Sequence, residues 1–190
     1  MDEILFVDAC VRPGSRTRAL ADCFLSLRGR PVRRLLLEQA DLQPLNGFSL
    51  ARRDALIAAE DWNDPLFRYA RQFAAAEEIV IAAPYWDLSF PALLKVYLEQ
   101  VCVCGLTFVY TDSGVPKGLC RAKRLTYLTT AGGQLNPVFG FDSIKALCTG
   151  LFGIPRVDLY AAEGLDLSGA DPEGILAEAM DRIRLAESGR

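Results

Sequence analysis

The chain has 190 residues, of which 51% are hydrophobic and 24% are charged, and its formal net charge is −3 at pH 7. We expect a single domain over residues 1–190, because this length supports one substantial core and is too short for two. The mild acidity gives no overall reason to expect nucleic acid or an anionic membrane as a partner. The sequence contains no histidine, which excludes Ser-His-Asp and Cys-His catalysis and histidine metal ligands.

The N-terminus and the cysteines predict a cytoplasmic protein. The opening residues MDEILFVDAC begin acidic and hold only a short apolar run, unlike a secretory signal peptide. No apolar run in the sequence reaches the roughly 18 residues of a membrane-spanning helix. The six cysteines form no CxxC pair, and Cys102 with Cys104 is only a weak zinc signal. We therefore predict reduced, mostly buried thiols and no metal site.

Strand and helix patterns alternate about five times along the chain. The sequence predicts five strands, at 4–7, 32–37, 78–83, 124–130 and 157–161, and the near-continuous apolarity of 78–83 is typical of a strand covered on both faces. Helical spacing follows most of these strands, at 19–27, 51–62, 65–76, from 91 to 101, 141–150 and 172–187. Residues 105–122 are predicted to be irregular and rich in turns. This order predicts an α/β fold: a doubly wound five-stranded parallel sheet with helices on both faces.

In sheets of this kind ligands bind beyond the carboxyl ends of the strands. Three loops leave strands at that edge, at 9–18, 84–90 and 130–136. All three have an unusual composition, so the sequence predicts that they form the functional site together.

The first loop predicts an anion site. It leads into a helix whose first amide groups lack intrahelical acceptors and carry a partial positive charge. Its glycine, hydroxyl and arginine residues are Arg12, Gly14, Ser15, Arg16, Thr17 and Arg18. Such a concentration of donors is typical of a phosphate site. The loop is not a Walker motif, because Gly-Lys-Ser/Thr is missing.

The other two loops predict a seat for a flat ligand. The second loop reads Pro84-Tyr85-Trp86-Asp87-Leu88-Ser89-Phe90-Pro91 and combines two large rings with flanking prolines. The third loop, Thr129-Thr130-Ala131-Gly132-Gly133-Gln134, pairs hydroxyl groups with glycines that allow a close approach to the backbone. Alternatively, the second loop is a hydrophobic plug that covers the edge of the sheet, and the third loop is an ordinary Gly-Gly turn.

These residues together resemble a known family. The chain resembles the FMN-dependent azoreductases and quinone reductases of the flavodoxin-like superfamily. The segments that carry the resemblance are 15–17, 84–88 with Pro91, Leu94 and Lys95, 105–111 with Gly114, Gly118 and Leu119, and 130–133. The match is best over residues 84–133.

The resemblance implies a homodimer with FMN near the interface and a two-electron reduction of quinones or azo compounds by NADH or NADPH. By matching positions, Ser15, Arg16 and Thr17 would hold the phosphate, next to Cys10 at the strand end. The isoalloxazine would be lined by Pro84, Tyr85, Trp86, Asp87 and Leu88, and its other edge by Thr130, Ala131, Gly132 and Gly133. Tyr110 matches a position that borders the substrate pocket. No catalytic side chain is expected, since the flavin performs the hydride chemistry.

Two positions depart from the family pattern. Relatives usually have Asn where this chain has Asp87, and Phe where it has Leu88. A carboxylate near the pyrimidine edge of a flavin would accept a bond from N3–H. It would also oppose the negative charge of the reduced flavin, so we expect a lowered reduction potential.

Three other functions remain open at this stage. Five residues separate Cys10 from Arg16-Thr17. This is the spacing of the low-molecular-weight tyrosine phosphatases, in which the cysteine attacks phosphorus. A flavodoxin-like carrier of single electrons is the second alternative, although such carriers are more acidic around the flavin. A nonenzymatic protein that has lost its flavin is the third.

Overall fold

The computed structural model describes residues 3–188, and its strands form two sheets. In chain order the strands are β1 Ile4–Asp8, β2 Val32–Leu36, β3 Glu78–Ala82, β4 Phe108–Tyr110, β5 Pro116–Gly118, β6 Arg124–Thr130 and β7 Arg156–Ala162. Five of them pair in parallel in the order β2-β1-β3-β6-β7. The predicted doubly wound five-stranded sheet is therefore confirmed, and the strand order reverses between β1 and β3, where ligands bind in such folds.

Six α-helices cover both faces of this sheet within the described residues. They are α1 Arg16–Ser26, α2 Gly47–Ala58, α3 Arg68–Ala75, α4 Ala92–Val101, α5 Phe141–Leu147 and α6 Pro172–Glu187. Because side chains alternate along a strand, β1 sends Phe6 to the face covered by α1 and α6, and Val7 to the face covered by α3, α4 and α5. All five residues of β1 and of β3 are buried, as expected for strands covered on both faces.

Helix α2 begins earlier than the sequence predicts. The expected helix was 51–62, but α2 starts at Gly47 because Asn46 caps it: its side chain accepts the amides of Phe48 and Ser49, and the Ser49 hydroxyl completes a capping box. In the sequence, Asp64 before Pro65 predicts a helix N-cap with proline in the first turn, and the structure confirms this cap. Its carboxylate accepts the Leu66 amide at 2.8 Å, in a short 3₁₀ turn that leads into α3.

The prediction of an irregular segment at 105–122 is wrong in part. Its centre is the antiparallel hairpin of β4 and β5, in which Phe108 pairs with Gly118 and Tyr110 with Pro116. Gly118 lies so close to the backbone of Phe152 that no β-carbon would fit. The hairpin is thus docked by a backbone contact that is distant in sequence, which local patterns do not reveal.

Among residues 3–188 no helix is long and apolar enough to cross a membrane. The same residues contain no group of three or more potential metal ligands. All six cysteines are free thiols, and Cys10, Cys120 and Cys148 are buried.

Candidate functional site

A cavity of about 490 Å³ opens at the carboxyl ends of β1, β3 and β6. Its lining consists of Cys10, Val11, Arg12, Pro13, Gly14, Ser15, Arg16, Thr17, Pro84, Tyr85, Trp86, Thr130, Gly132 and Asp166. The fold therefore brings parts of all three predicted loops to one cavity. Asp166 comes from a fourth loop, after β7, which the sequence did not single out.

The N-terminus of α1 forms one end of this cavity. The Ser15 hydroxyl accepts the Arg18 amide at 3.3 Å, and the Ser15 carbonyl accepts the Ala19 amide at 3.0 Å. The amides of Arg16 and Thr17, in the first turn, have no acceptor within the helix. With the helix dipole, this end of the cavity favours an anion.

The arginines around the first loop have different partners. Arg18 binds Asp8 with its Nε at 2.5 Å from Oδ2 and also donates to the Cys10 carbonyl. The hydrogen bond to buried Asp8 raises the pKa of Arg18. Arg18 therefore holds the loop to the end of β1 and is not among the cavity-lining residues. Arg16 and Arg12 do line the cavity, and the Arg12 guanidinium lies 5.9 Å from the centroid of the Trp86 ring.

Helix α1 is joined to β6 beside the cavity. The hydroxyl oxygens of Thr17 and Thr130 lie 2.6 Å apart, and both residues are buried. A buried hydroxyl needs a partner, so each threonine satisfies the other. This hydrogen bond fixes the helix N-terminus relative to the third loop.

The second loop contains a tight two-residue turn. Trp86 and Ser89 exchange backbone hydrogen bonds of 3.1 and 2.7 Å. Between them, Asp87 and Leu88 have φ values of 51° and 63°, a left-handed conformation that side chains rarely adopt. Both residues are exposed and lie outside the cavity lining. Backbone strain of this kind is concentrated at functional sites, where the surrounding structure maintains it.

Tyr85 fastens the second loop to the third. Its amide donates to the Thr130 carbonyl at 3.0 Å. Its hydroxyl donates to the Asn136 carbonyl at 3.3 Å and accepts the Asn136 amide at 3.2 Å. These bonds make one wall of the cavity from two loops, and they leave Trp86 at its rim.

The third loop is paired with the loop after β7. The Leu165 amide donates to the Ala131 carbonyl at 3.2 Å, and the Asp166 amide donates to the Gly132 carbonyl at 2.9 Å. An Asp166 carboxylate oxygen lies where a β-carbon of residue 132 would be. A side chain at position 132 would therefore displace this carboxylate. Asp166 also binds Arg16, with Nη2 at 3.0 Å from Oδ1.

A family model with the description "flavodoxin-like fold" matches residues 2–185. The chain belongs to this flavodoxin-like family. The FMN-dependent NADH:quinone oxidoreductase 2 of Clostridium acetobutylicum is 33% identical over 196 residues, covering 97% of each chain. The FMN-dependent NADH:quinone oxidoreductase of Clostridium beijerinckii is also 33% identical over 193 residues, with the same coverage.

Solved structures agree on the architecture of the flavodoxin-like family. An azoreductase of Bacillus anthracis superposes with a TM-score of 0.86 at 22% identity and covers 100% of both chains. An FMN-dependent NADH-azoreductase of the same species, solved in complex with FMN, has a TM-score of 0.82 at 20% identity and covers 99% of this chain and 98% of its own. At these identities the likeness establishes the fold.

The position of Cys10 contradicts the phosphatase hypothesis in this family member. Its Sγ lies 3.7 Å from the Ala82 carbonyl oxygen, in the core between β1 and β3. Only 1% of Cys10 is exposed, and burial raises the pKa of its thiol to about 12. A protonated, inaccessible thiol is no nucleophile. Cys10 can therefore form part of the cavity wall without acting as a nucleophile.

Tyr110 is not among the residues that line the cavity. It is on β4 of the hairpin, 59% exposed, with its ring centroid 5.5 Å from that of Phe108. Ala131 and Gly133 likewise fall outside the lining, although they flank Gly132. The sequence missed Asp166 because a lone aspartate after a strand carries no local signal of a binding site.

Proposed function

We propose that this chain is an FMN-dependent oxidoreductase that transfers two electrons from NADH to quinones, azo compounds or similar acceptors. The observation that carries the proposal is one cavity at the carboxyl edge of the sheet, with an anion site at one end and a stiff aromatic loop beside it. Relatives that carry the name FMN-dependent NADH:quinone oxidoreductase match the chain over nearly its whole length, which supports the same activity.

The cavity fits FMN in size and in donor chemistry. Its volume of about 490 Å³ is typical of a cofactor site. Amides at the start of α1, with the Ser15 and Thr17 side chains and the Arg16 guanidinium, would hold the phosphate. The ring system would lie along Pro84 to Leu88 and be bracketed by Thr130 to Gly133. The backbone of Cys10 would close the floor.

The hydride chemistry belongs to the flavin itself when it is bound, so the chain needs no histidine and no acid–base pair. The task of the residues is to bind the phosphate, orient the rings and shield one of their faces. The hydroxyl pair of Thr17 and Thr130 and the Tyr85 clamp keep these loops in fixed positions.

We further propose that residues 1–190 act as one domain and that two copies form a homodimer with the FMN near their interface. Exposed apolar side chains next to the cavity support this: Leu88 and Phe139 are 59% and 60% exposed. Tyr110, which lies outside its own subunit's cavity, would then border the acceptor site of the other copy. Free thiols throughout the chain are consistent with a cytoplasmic location.

The absorbance spectrum of the purified protein, before and after addition of FMN, tests the proposal. We expect a yellow protein with one FMN per subunit that consumes NADH when a quinone is supplied. A colourless protein that binds no added FMN would refute it. Turnover of an aryl phosphate that disappears in Cys10→Ser would restore the phosphatase.

A variant of Arg16 tests the phosphate site separately. Arg16→Gln should raise the Kd for FMN roughly 10-fold, because it removes a charge-assisted bond to the phosphate. The Kd for riboflavin should change by no more than about twofold. Arg33→Gln is the matched control, since Arg33 pairs with Glu3 outside the cavity. Equal losses of FMN and riboflavin in Arg16→Gln would contradict this assignment.

A further inference from the structure

Asp166 is the one acidic side chain among the described residues that line the cavity. It lies at the end where the helix N-terminus, Ser15 and Arg16 favour an anion. A carboxylate in an anion site opposes the ligand that the site is built to hold. Its presence therefore needs a physical explanation.

The backbone determines the position of Asp166. Its amide is bonded to the Gly132 carbonyl at 2.9 Å, and the preceding residue, Leu165, is bonded to Ala131 at 3.2 Å. The carboxylate fills the space that a β-carbon of residue 132 would take. The main chain thus places residue 166 beside the cavity, whether or not its carboxylate has an ionic partner.

The ion pair between Asp166 and Arg16 can exchange. The nitrogen–oxygen distance is 3.0 Å, but the side chains are 64% and 37% exposed. Pairs as exposed as this are weak. By contrast, the Asp8 side chain that binds Arg18 is fully buried, which makes that pair a fixed part of the loop. Arg16 is therefore the cavity arginine that can change partners.

We propose that Asp166 competes with the phosphate of FMN for Arg16 and so lowers the affinity of the protein for the phosphorylated flavin. This inference rests on the proposed function. When the phosphate binds, the Arg16 guanidinium leaves the carboxylate for the phosphate oxygens, and the exposed Asp166 side chain is hydrated in its place. The phosphate is attracted by Arg16 and repelled by Asp166, whereas riboflavin, which has no phosphate, is affected by neither. Asp166 is thus a specificity-determining residue that keeps FMN exchangeable.

The test is Asp166→Asn, which keeps the shape and the backbone bond to Gly132 and removes the charge. The FMN-loaded full-length chain is diluted in steps, and the rise in flavin fluorescence gives the Kd; the same series is run with riboflavin. We expect FMN to bind roughly 3- to 10-fold more tightly at low salt, the effect of removing one unit charge several ångströms from a dianion near the protein surface. The Kd for riboflavin should change by no more than about twofold. At 0.5 M NaCl, the decrease in the Kd for FMN should shrink to less than about twofold.

Two controls make the test specific to the pair. Asp142→Asn removes the same charge from the exposed start of α5, away from the cavity lining, and should leave the Kd for FMN within about twofold. In an Arg16→Gln background, Asp166→Asn should lower the Kd for FMN by a smaller factor than in the native chain. The reason is that Arg16, for which Asp166 and the phosphate compete, is absent.

Other outcomes overturn the inference. An unchanged or weakened FMN affinity in Asp166→Asn would show that the carboxylate is neutral to the phosphate or supports its binding. An equal decrease in the Kd for riboflavin would show that Asp166 acts on the ring or the sugar chain of the flavin. If the native chain bound neither flavin, the proposed function would fail as well, and that result is distinct from flavin binding that ignores Asp166.

Discussion

Replacing Glu187 with glutamine should strongly destabilise the fold without touching the cavity. Glu187 is the last residue of α6, and its side chain is 1% exposed. Its two carboxylate oxygens accept two bonds from Arg124, at 2.6 and 2.8 Å, one from Arg28 at 3.0 Å and one from the Tyr160 hydroxyl at 2.6 Å. The cluster lies at the amino end of the sheet and ties α6 to β6 and β7.

The magnitude follows from what glutamine would leave behind. In glutamine, an NH2 group replaces one of the two accepting oxygens of the carboxylate. This NH2 group is a hydrogen-bond donor, so it would face the guanidinium or hydroxyl groups that donate to the carboxylate. Arg124 and Arg28 would also lose a negative charge in a place that water scarcely reaches. Breaking a buried ion pair by removing one partner costs about 3–5 kcal/mol. For a chain of this size that lowers Tm by about 6–20 °C.

Thermal and urea unfolding of both forms measure this effect. Glu178→Gln is the control, since Glu178 lies exposed on the same helix; its effect should stay within about 0.5 kcal/mol. The pKa of Tyr160, which burial and then the bond to Glu187 raise, should fall in Glu187→Gln. A free energy of unfolding within about 1 kcal/mol of the native value would refute the reasoning, because the buried charges would then not depend on this carboxylate.

Three further predictions concern other parts of the molecule. Gly118→Ala should lower the free energy of unfolding by about 1–3 kcal/mol, because its β-carbon would collide with the backbone of Phe152 and Gly153. Gly150→Ala, whose β-carbon would enter open space, should be close to neutral in the same urea titration. The thiol of Cys10 should resist alkylation by iodoacetamide at pH 8, because a pKa of about 12 leaves roughly one thiolate in ten thousand. The half-buried Cys23 should react. Peptide mapping that finds Cys10 modified first in the folded protein would contradict this. Asp87→Asn should raise the two-electron reduction potential of bound FMN, because it removes a negative charge that opposes the charge of the reduced flavin. A lower or unchanged potential by dye equilibration would count against a position of Asp87 near the ring.

Much of the fold could be predicted because its signals are local. Short strand-like segments between turn-rich stretches identified the five strands of the main sheet, and Asp64 before Pro65 identified the start of a helical segment. The first loop was recognised from Ser15 to Thr17 because a helix N-terminus with hydroxyl groups binds anions wherever it lies. Parallel strands place their following loops at one edge, so the approximate position of the cavity was predictable too.

The partners of individual side chains were not predictable, because they come from distant parts of the chain. The sequence counted Arg18 with the anion donors, but Asp8 neutralises it. It offered Cys10 as a possible nucleophile, but the thiol is buried and its pKa is raised. Asp166 meets Arg16 across 150 positions of sequence. By itself the sequence determined the five strands of the main sheet, most of the helices and the three loops that share its carboxyl edge, since backbone periodicity and turn chemistry act over a few residues. Only the tertiary structure decided which charges are free to bind a ligand, because each charge is set by neighbours that the packing of distant segments brings within a few ångströms.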